Sequence, residues 1–68
     1  MNYTAIMKQD GNFWIGWIEE IPGVNCQEET KEELIETLKI TLAEAIEFNR
    51  QDAFVFAGSN YVEEPILL

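Results

Sequence analysis

The sequence predicts an α+β fold with the element order β-β-β-α-β, in which one small, mostly antiparallel sheet carries one main helix packed on one face. Three observations lead to this fold class. Two strand-like runs flank the turn signal Asp10-Gly11, which is typical of a hairpin. From Thr30 onward, apolar residues recur at the spacing of an amphipathic helix. A further strand-like run after that helix indicates a crossover back to the sheet.

Residues 2–8 and Phe13–Ile18 form the first two predicted strands, and the second of them is apolar on both faces. Side chains alternate along a strand. The two faces of the second strand are therefore Phe13, Ile15 and Trp17 on one side, and Trp14, Gly16 and Ile18 on the other. One helix covers only one face of a sheet. We expect another chain to cover the second face, and the sequence leaves open which of the two faces that is.

The remaining strands are predicted on either side of the helix. Glu19–Gly23 breaks the second strand, because Pro22 fixes the backbone and the following glycine favours a turn. Residues 24–27 are long enough for a short third strand. The end of the chain, Tyr61–Leu68, forms the predicted fourth strand, with Pro65 at a sheet edge or a bulge.

The helix is predicted from the signal at its start. Thr30 followed by Glu33 fits a capping box, in which the hydroxyl bonds the backbone three residues on and the glutamate reaches back. The apolar stripe that follows comprises Leu34, Ile35, Leu38, Leu42, Ala45 and Ile46. Ile40 is an apolar residue on the otherwise acidic outer side of the predicted helix. The sequence does not decide whether the helix ends near Arg50 or continues to Gly58, which would then serve as its C-terminal cap.

Length and composition predict one domain, residues 1–68, that associates with other chains. A chain this short builds a marginal core and usually gains a disulfide, a metal or a partner subunit. Cys26 is the only cysteine and there is no histidine, which excludes an internal disulfide and a zinc site. We therefore expect a homodimer or a higher homo-oligomer. The net charge of -9 disfavours direct nucleic-acid binding and favours a basic partner.

No pattern of catalytic residues is recognisable. The chain lacks a histidine for a nucleophilic triad, and Cys26 has no basic neighbour in sequence to activate its thiol. The carboxylates show no spacing that makes them converge on a metal, and the glycines do not form a phosphate loop. We assign no catalytic, cofactor-binding or metal-ligating residue and expect no enzymatic activity. The absence of a signal-peptide pattern and of a long apolar run predicts a cytoplasmic protein without a membrane anchor.

Taken together, the sequence resembles the antitoxin domain called HicB over residues 3–48. The points of resemblance, in order, are Tyr3 to Ile6, Asp10-Gly11, the aromatic strand, Ile21-Pro22-Gly23, Gln27, Thr30, and Glu33-Leu34. This resemblance implies a truncated ribonuclease-H-like fold without catalytic activity. It also implies a partner, a small basic RNA-cleaving toxin of the HicA type, whose active site the antitoxin covers. Longer members add a DNA-binding domain after the helix, and here we expect none.

The candidate contact residues fall into two sets. The apolar set, for an oligomer or a toxin, is Phe13, Ile15, Trp17 and Ile40. The acidic set, for a basic partner, is Glu19, Glu20, Glu36 and Glu47. If a homodimer buries the apolar strand face, the toxin must bind elsewhere, along the acidic side of the helix. Two other functions stay open: an oligomeric HicB-like binding or structural module with no toxin, and a residual magnesium-dependent nuclease.

Overall fold

The computed structural model describes residues 2–68, which form three strands and one helix. The elements are β1 (Ala5–Asp10), β2 (Phe13–Ile18), β3 (Ile21–Glu28) and α1 (Lys31–Ala57). The strands form one antiparallel sheet in the order β1-β2-β3, so β2 is central and the other two are edges. The α+β class, with an antiparallel sheet and one main helix on one of its faces, is confirmed.

The predicted hairpin joins β1 to β2. Asp10 pairs with Phe13, which leaves Gly11 and Asn12 as a two-residue loop. Gly11 has φ 63°, a left-handed conformation that costs glycine nothing because it has no Cβ. The tight loop fixes the register, so that alternate residues of the two strands share a face.

The helix covers the face of β2 that carries Trp14, Gly16 and Ile18. Its contact side is centred on Leu34 and Leu38, which are buried together with Ile18 and Val24. Gly16 lies directly beneath the two leucines. This placement answers a question that the alternation of β2 leaves open, because only the face with a glycine lets the helix approach the sheet closely.

Replacing Gly16 is expected to push the helix off the sheet. A Cβ at this position would lie 3.0 Å from Leu34 Cδ2, 3.0 Å from Leu38 Cδ1 and 3.1 Å from the backbone oxygen of Ile6. The leucine ends can shift, but the backbone oxygen cannot move without disturbing the β1–β2 pairing. We expect Gly16→Val to lower the free energy of unfolding by about 1–3 kcal/mol, and Gly16→Ala by less. Urea titrations measure both, and a Gly16→Val protein as stable as the parent would contradict this packing.

The predicted N-terminal cap of α1 is confirmed. The Glu33 backbone N–H donates to the Thr30 hydroxyl oxygen at 3.1 Å. The Thr30 hydroxyl in turn donates to the Glu33 carboxylate at 2.9 Å. The glutamate therefore reaches back to the side chain of the capping residue, a variation on the capping box, in which it would bond the backbone.

The helix continues well past the sheet. Its 27 residues give a length of about 40 Å, about twice that of a six-residue strand. Gly58 caps its end with φ 68°, and its N–H donates to the Phe54 carbonyl at 3.1 Å. Of the two predicted ends, the structure selects the one at Gly58. The molecule is correspondingly elongated, with extents of 51 × 24 × 15 Å.

The predicted fourth strand is wrong: Tyr61–Leu68 forms no strand. Because α1 extends beyond the sheet, the chain after Gly58 starts far from either sheet edge. The Tyr61 ring then packs against Phe54, with 5.7 Å between the ring centroids. This contact holds the start of the tail beside the last turns of the helix and away from the sheet.

Candidate interaction surfaces

The sheet face opposite the helix carries an apolar row along β2, and we call it the open face. Its central residues are Phe13, Ile15 and Trp17, as the alternation of β2 predicts. The register sets their cross-strand neighbours. On this face the edge strands contribute Ile6, Lys8 and Asp10 from β1, and Asn25 and Gln27 from β3. An apolar row is thus flanked by polar and charged side chains, which is the usual composition of an interaction surface.

A shallow groove runs between β2 and β3 on the open face. It is lined by Ile15 and Trp17 from β2 and by Asn25 and Gln27 from β3. Phe13, at the end of the row, is 42% exposed. The two amides were not among the predicted contact residues, although alternation within β3 would have paired them. Their positions beside Trp17 and Ile15 follow from the pairing register of β2 with β3, which the sequence alone does not specify.

The acidic residues Glu19 and Glu20 form the turn between β2 and β3, at one end of the open face. The Glu19 backbone N–H donates to the Thr4 carbonyl at 2.9 Å, and the Thr4 backbone N–H donates to Glu20 Oε1 at 2.7 Å. The bond from Thr4 favours the ionised carboxylate and lowers the pKa of Glu20 below its ordinary value. The Glu20 carboxylate is therefore a fixed negative charge at this end of the sheet.

The Glu20–Thr4 bond predicts a small pH dependence of stability. A depressed folded-state pKa contributes stability above the unfolded-state pKa, and this contribution is lost as the pH falls through the folded-state value. We expect Glu20→Gln to be less stable than the parent at neutral pH and to approach it in acid. Urea titrations across that range measure the difference, with Glu19→Gln as the matched control. A gap between Glu20→Gln and the parent that stays constant with pH would contradict this role.

The other predicted contact residues lie on the outer side of α1. Ile40 is two positions from the buried Leu38, which places it on the solvent side of the helix, and it is 61% exposed. Glu36 and Glu47 share this side and bond their own helical neighbours. Lys39 Nζ lies 3.3 Å from Glu36, and Gln51 donates to Glu47 at 3.1 Å.

The structure therefore does not bring the predicted contact residues together. Phe13, Ile15 and Trp17 lie on the open face, whereas Ile40 lies on the opposite side of the molecule, with the helix and the sheet between them. Glu19 and Glu20 lie at one end of the open face, whereas Glu36 and Glu47 lie beside Ile40 on the outer side of α1. A single compact partner contacts one group or the other.

The polar groups between β3 and the helix bond each other. The Thr37 hydroxyl donates to Glu28 Oε2 at 2.6 Å, and Cys26 Sγ donates to the Thr41 hydroxyl at 3.5 Å. Cys26 faces the helix and is partly buried.

Within residues 2–68, no three His, Cys, Asp or Glu side chains lie together in a way that would hold a metal ion. No helix in this part of the chain has the length and apolar character needed to cross a membrane.

Comparison of the chain with protein-family models, with curated protein sequences and with solved structures gave no match.

Proposed function

We propose that this chain is a HicB-type, antitoxin-like interaction protein that binds a small basic RNA-cleaving toxin of the HicA type and covers its active site. The observation that carries the proposal is the open face, where an apolar row remains uncovered beside acidic turn residues. Among residues 2–68, the one helix packs on the opposite face of the sheet and no other helix or strand covers this one. Aromatic residues such as Phe13 and Trp17 are the usual anchors of protein interfaces.

The charge of the chain supports a basic partner. Thirteen acidic residues against four basic ones give a net charge of -9. Glu19, Glu20 and Asp10 add negative charge at the two ends of the open face, and among residues 2–68 the basic side chain on this face is Lys8. Opposite potentials accelerate the encounter of two proteins and orient them, and salt weakens this effect. The proposed place of action is the cytoplasm, where RNA is the toxin's substrate.

An RNA-cleavage assay tests the proposal. The experiment first looks for a gene that adjoins that of this chain and encodes a small basic protein. That protein is then mixed with RNA in the presence of increasing amounts of the chain. We expect cleavage to fall to background when the chain reaches molar equivalence, and the protection to weaken as salt is added. RNA cleaved at an undiminished rate, or a neighbouring gene that encodes no RNA-cleaving protein, would overturn the toxin assignment.

A further inference from the structure

The two free edges of the sheet differ in how they are protected against pairing with a further strand. β3 carries Pro22 near its start, and its pairing with β2 is interrupted by a register shift at Trp17 and Ile18. Proline and bulges at an edge hinder the addition of another strand. β1 keeps an unbroken register with β2 along all six of its residues and contains no proline. β1 is therefore the edge on which another strand fits.

The backbone groups that β1 leaves unpaired follow from one hydrogen bond. The Glu19 N–H donates to the Thr4 carbonyl at 2.9 Å, so the backbone of Thr4 points toward β2. Along an antiparallel pair, such residues alternate with residues whose backbone groups point the other way. In the regular register that follows, the N–H and C=O groups of Ala5, Met7 and Gln9 point away from β2. β1 thus presents a row of backbone donors and acceptors at its free edge, and no strand of residues 2–68 lies beside them.

We propose that two copies of this chain associate by pairing β1 with β1 of the second copy, antiparallel, with the two Ile6 residues opposite each other on the two-fold axis. In this register, Ala5 of each copy exchanges backbone hydrogen bonds with Met7 of the other. The two three-stranded sheets then join into one continuous sheet. The contact is isologous, since each copy contributes the same strand, and it closes after two chains.

Charge complementarity argues for a second copy as the occupant of this edge. With the axis at Ile6, Lys8 lies opposite Thr4 of the second copy. Thr4 is bonded on its other side to Glu19 and Glu20. Neighbouring strands are about 4.8 Å apart, so the long side chain of Lys8 reaches across Thr4 to the carboxylate of Glu19 in the second copy. The two-fold axis creates this opposite-charge pair twice, and such pairs stabilise strand pairing.

The other registers of the same two strands lack this complementarity. An axis at Met7 places Asp10 opposite Thr4 and beside the carboxylates that follow β2, where like charges repel. An axis at Lys8 places the two lysines opposite each other. An axis at Ala5 pairs β1 mostly with the residues that precede it and shortens the contact. The charges of the edge therefore select the axis at Ile6.

Side-chain packing across the axis supports the same register. On the open face, Ile6 lies beside Trp17 of its own chain and, across the axis, beside Ile6 of the second copy. Ile6 is 37% exposed in the single chain, and the pairing covers it. On the helix side, Met7 lies opposite Ala5 of the second copy, and apolar side chains that face each other across two strands stabilise their pairing. The β2 row of the open face stays uncovered for the proposed basic partner.

Charge reversal in the full chain tests the dimer and its register. We expect sedimentation equilibrium to give a mass of twice 7.9 kDa for the parent protein at micromolar concentration. Lys8→Glu and Glu19→Lys, each made alone, bring like charges together and should raise the dissociation constant of the dimer about tenfold or more. Both side chains are exposed, so circular dichroism should show an unchanged fold.

The double variant Lys8→Glu/Glu19→Lys restores opposite charges across the axis. We expect its dissociation constant to return close to that of the parent protein, although each of its two substitutions weakens the dimer alone. A parent protein that stays a monomer, or a double variant that dissociates as readily as the single ones, would overturn the proposal.

A matched pair of proline substitutions distinguishes the two edges. Ala5→Pro removes a backbone donor that points away from β2, so the hairpin keeps its hydrogen bonds and the contact between copies is lost. Trp17 bonds toward β1, so its β3 neighbour Asn25 points outward by the same alternation, and Asn25→Pro removes the corresponding donor from the other edge. We expect a folded monomer for Ala5→Pro and a dimer for Asn25→Pro. The reverse result would refute pairing through β1. These experiments need no basic partner, so their outcome is independent of the toxin-binding proposal.

Discussion

Leu38→Ala is expected to remove a large part of the protein's free energy of unfolding, leaving between about 0 and 3 kcal/mol of the roughly 5 kcal/mol expected for the parent. Leu38 is buried at the centre of the helix–sheet contact, directly over Gly16. Truncating a buried leucine costs about 2–5 kcal/mol, through lost burial and the cavity that remains. The core of so short a chain contains only four buried apolar side chains within residues 2–68. Its total stability is expected at the low end of the usual range, about 5 kcal/mol.

Urea titration followed by circular dichroism measures this effect. Ile40→Ala is the matched control, because it shortens an exposed aliphatic side chain two positions along the same helix. We expect the control to lie within about 0.5 kcal/mol of the parent. If the two alanine variants were equally stable, the helix side identified as the core would be the wrong one.

Trp17→Glu is expected to weaken the binding of the basic partner about 30-fold or more while the fold is retained. Trp17 lies on the central strand of the open face, at the end of the apolar row beside Glu19 and Glu20, with Ile6 on one side and Asn25 on the other. Removing an aromatic anchor of an interface typically costs 2 kcal/mol or more, which corresponds to about a 30-fold or greater loss of affinity. The new charge sits on the solvent side of the sheet, so the core beneath the helix is untouched.

Titration calorimetry against the partner measures the loss. Phe56→Glu is the matched control: it replaces an aromatic residue that is 90% exposed near the end of α1, adds the same charge away from the open face, and should bind the partner with nearly the parent affinity. Equal affinities for the parent and Trp17→Glu would remove the open face from the partner interface.

Local signals account for the parts of the fold that the sequence predicts well. The start of α1 depends on Thr30 and Glu33, which are three residues apart and form the cap by themselves. The hairpin likewise depends on two adjacent residues. The sequence is compatible with a helix end near Arg50 or at Gly58. The helix ends at Gly58, which caps its last turn.

The remaining features depend on distances that no short pattern encodes. Tyr61–Leu68 has the composition of a strand, but the length of the helix carries it out of reach of the sheet. The face of β2 that the helix covers follows from the space above Gly16, which becomes visible only when Leu34 and Leu38 are in place. For the same reason, the sequence pattern puts Ile40 and Phe13 in one predicted set of contact residues, although the two lie on opposite sides of the molecule.

The measurement that tests the role of the open face most directly uses the two tryptophans of β2 as reporters. Trp14 faces the helix and Trp17 faces outward, and each gives one indole N–H signal in the NMR spectrum of the isotope-labelled chain. Addition of the small basic partner is expected to shift the Trp17 signal and leave that of Trp14 nearly unchanged. If the partner binds while the Trp17 signal stays in place and the amides around Ile40 move, the interface lies on the outer side of the helix and the open face is not the binding surface.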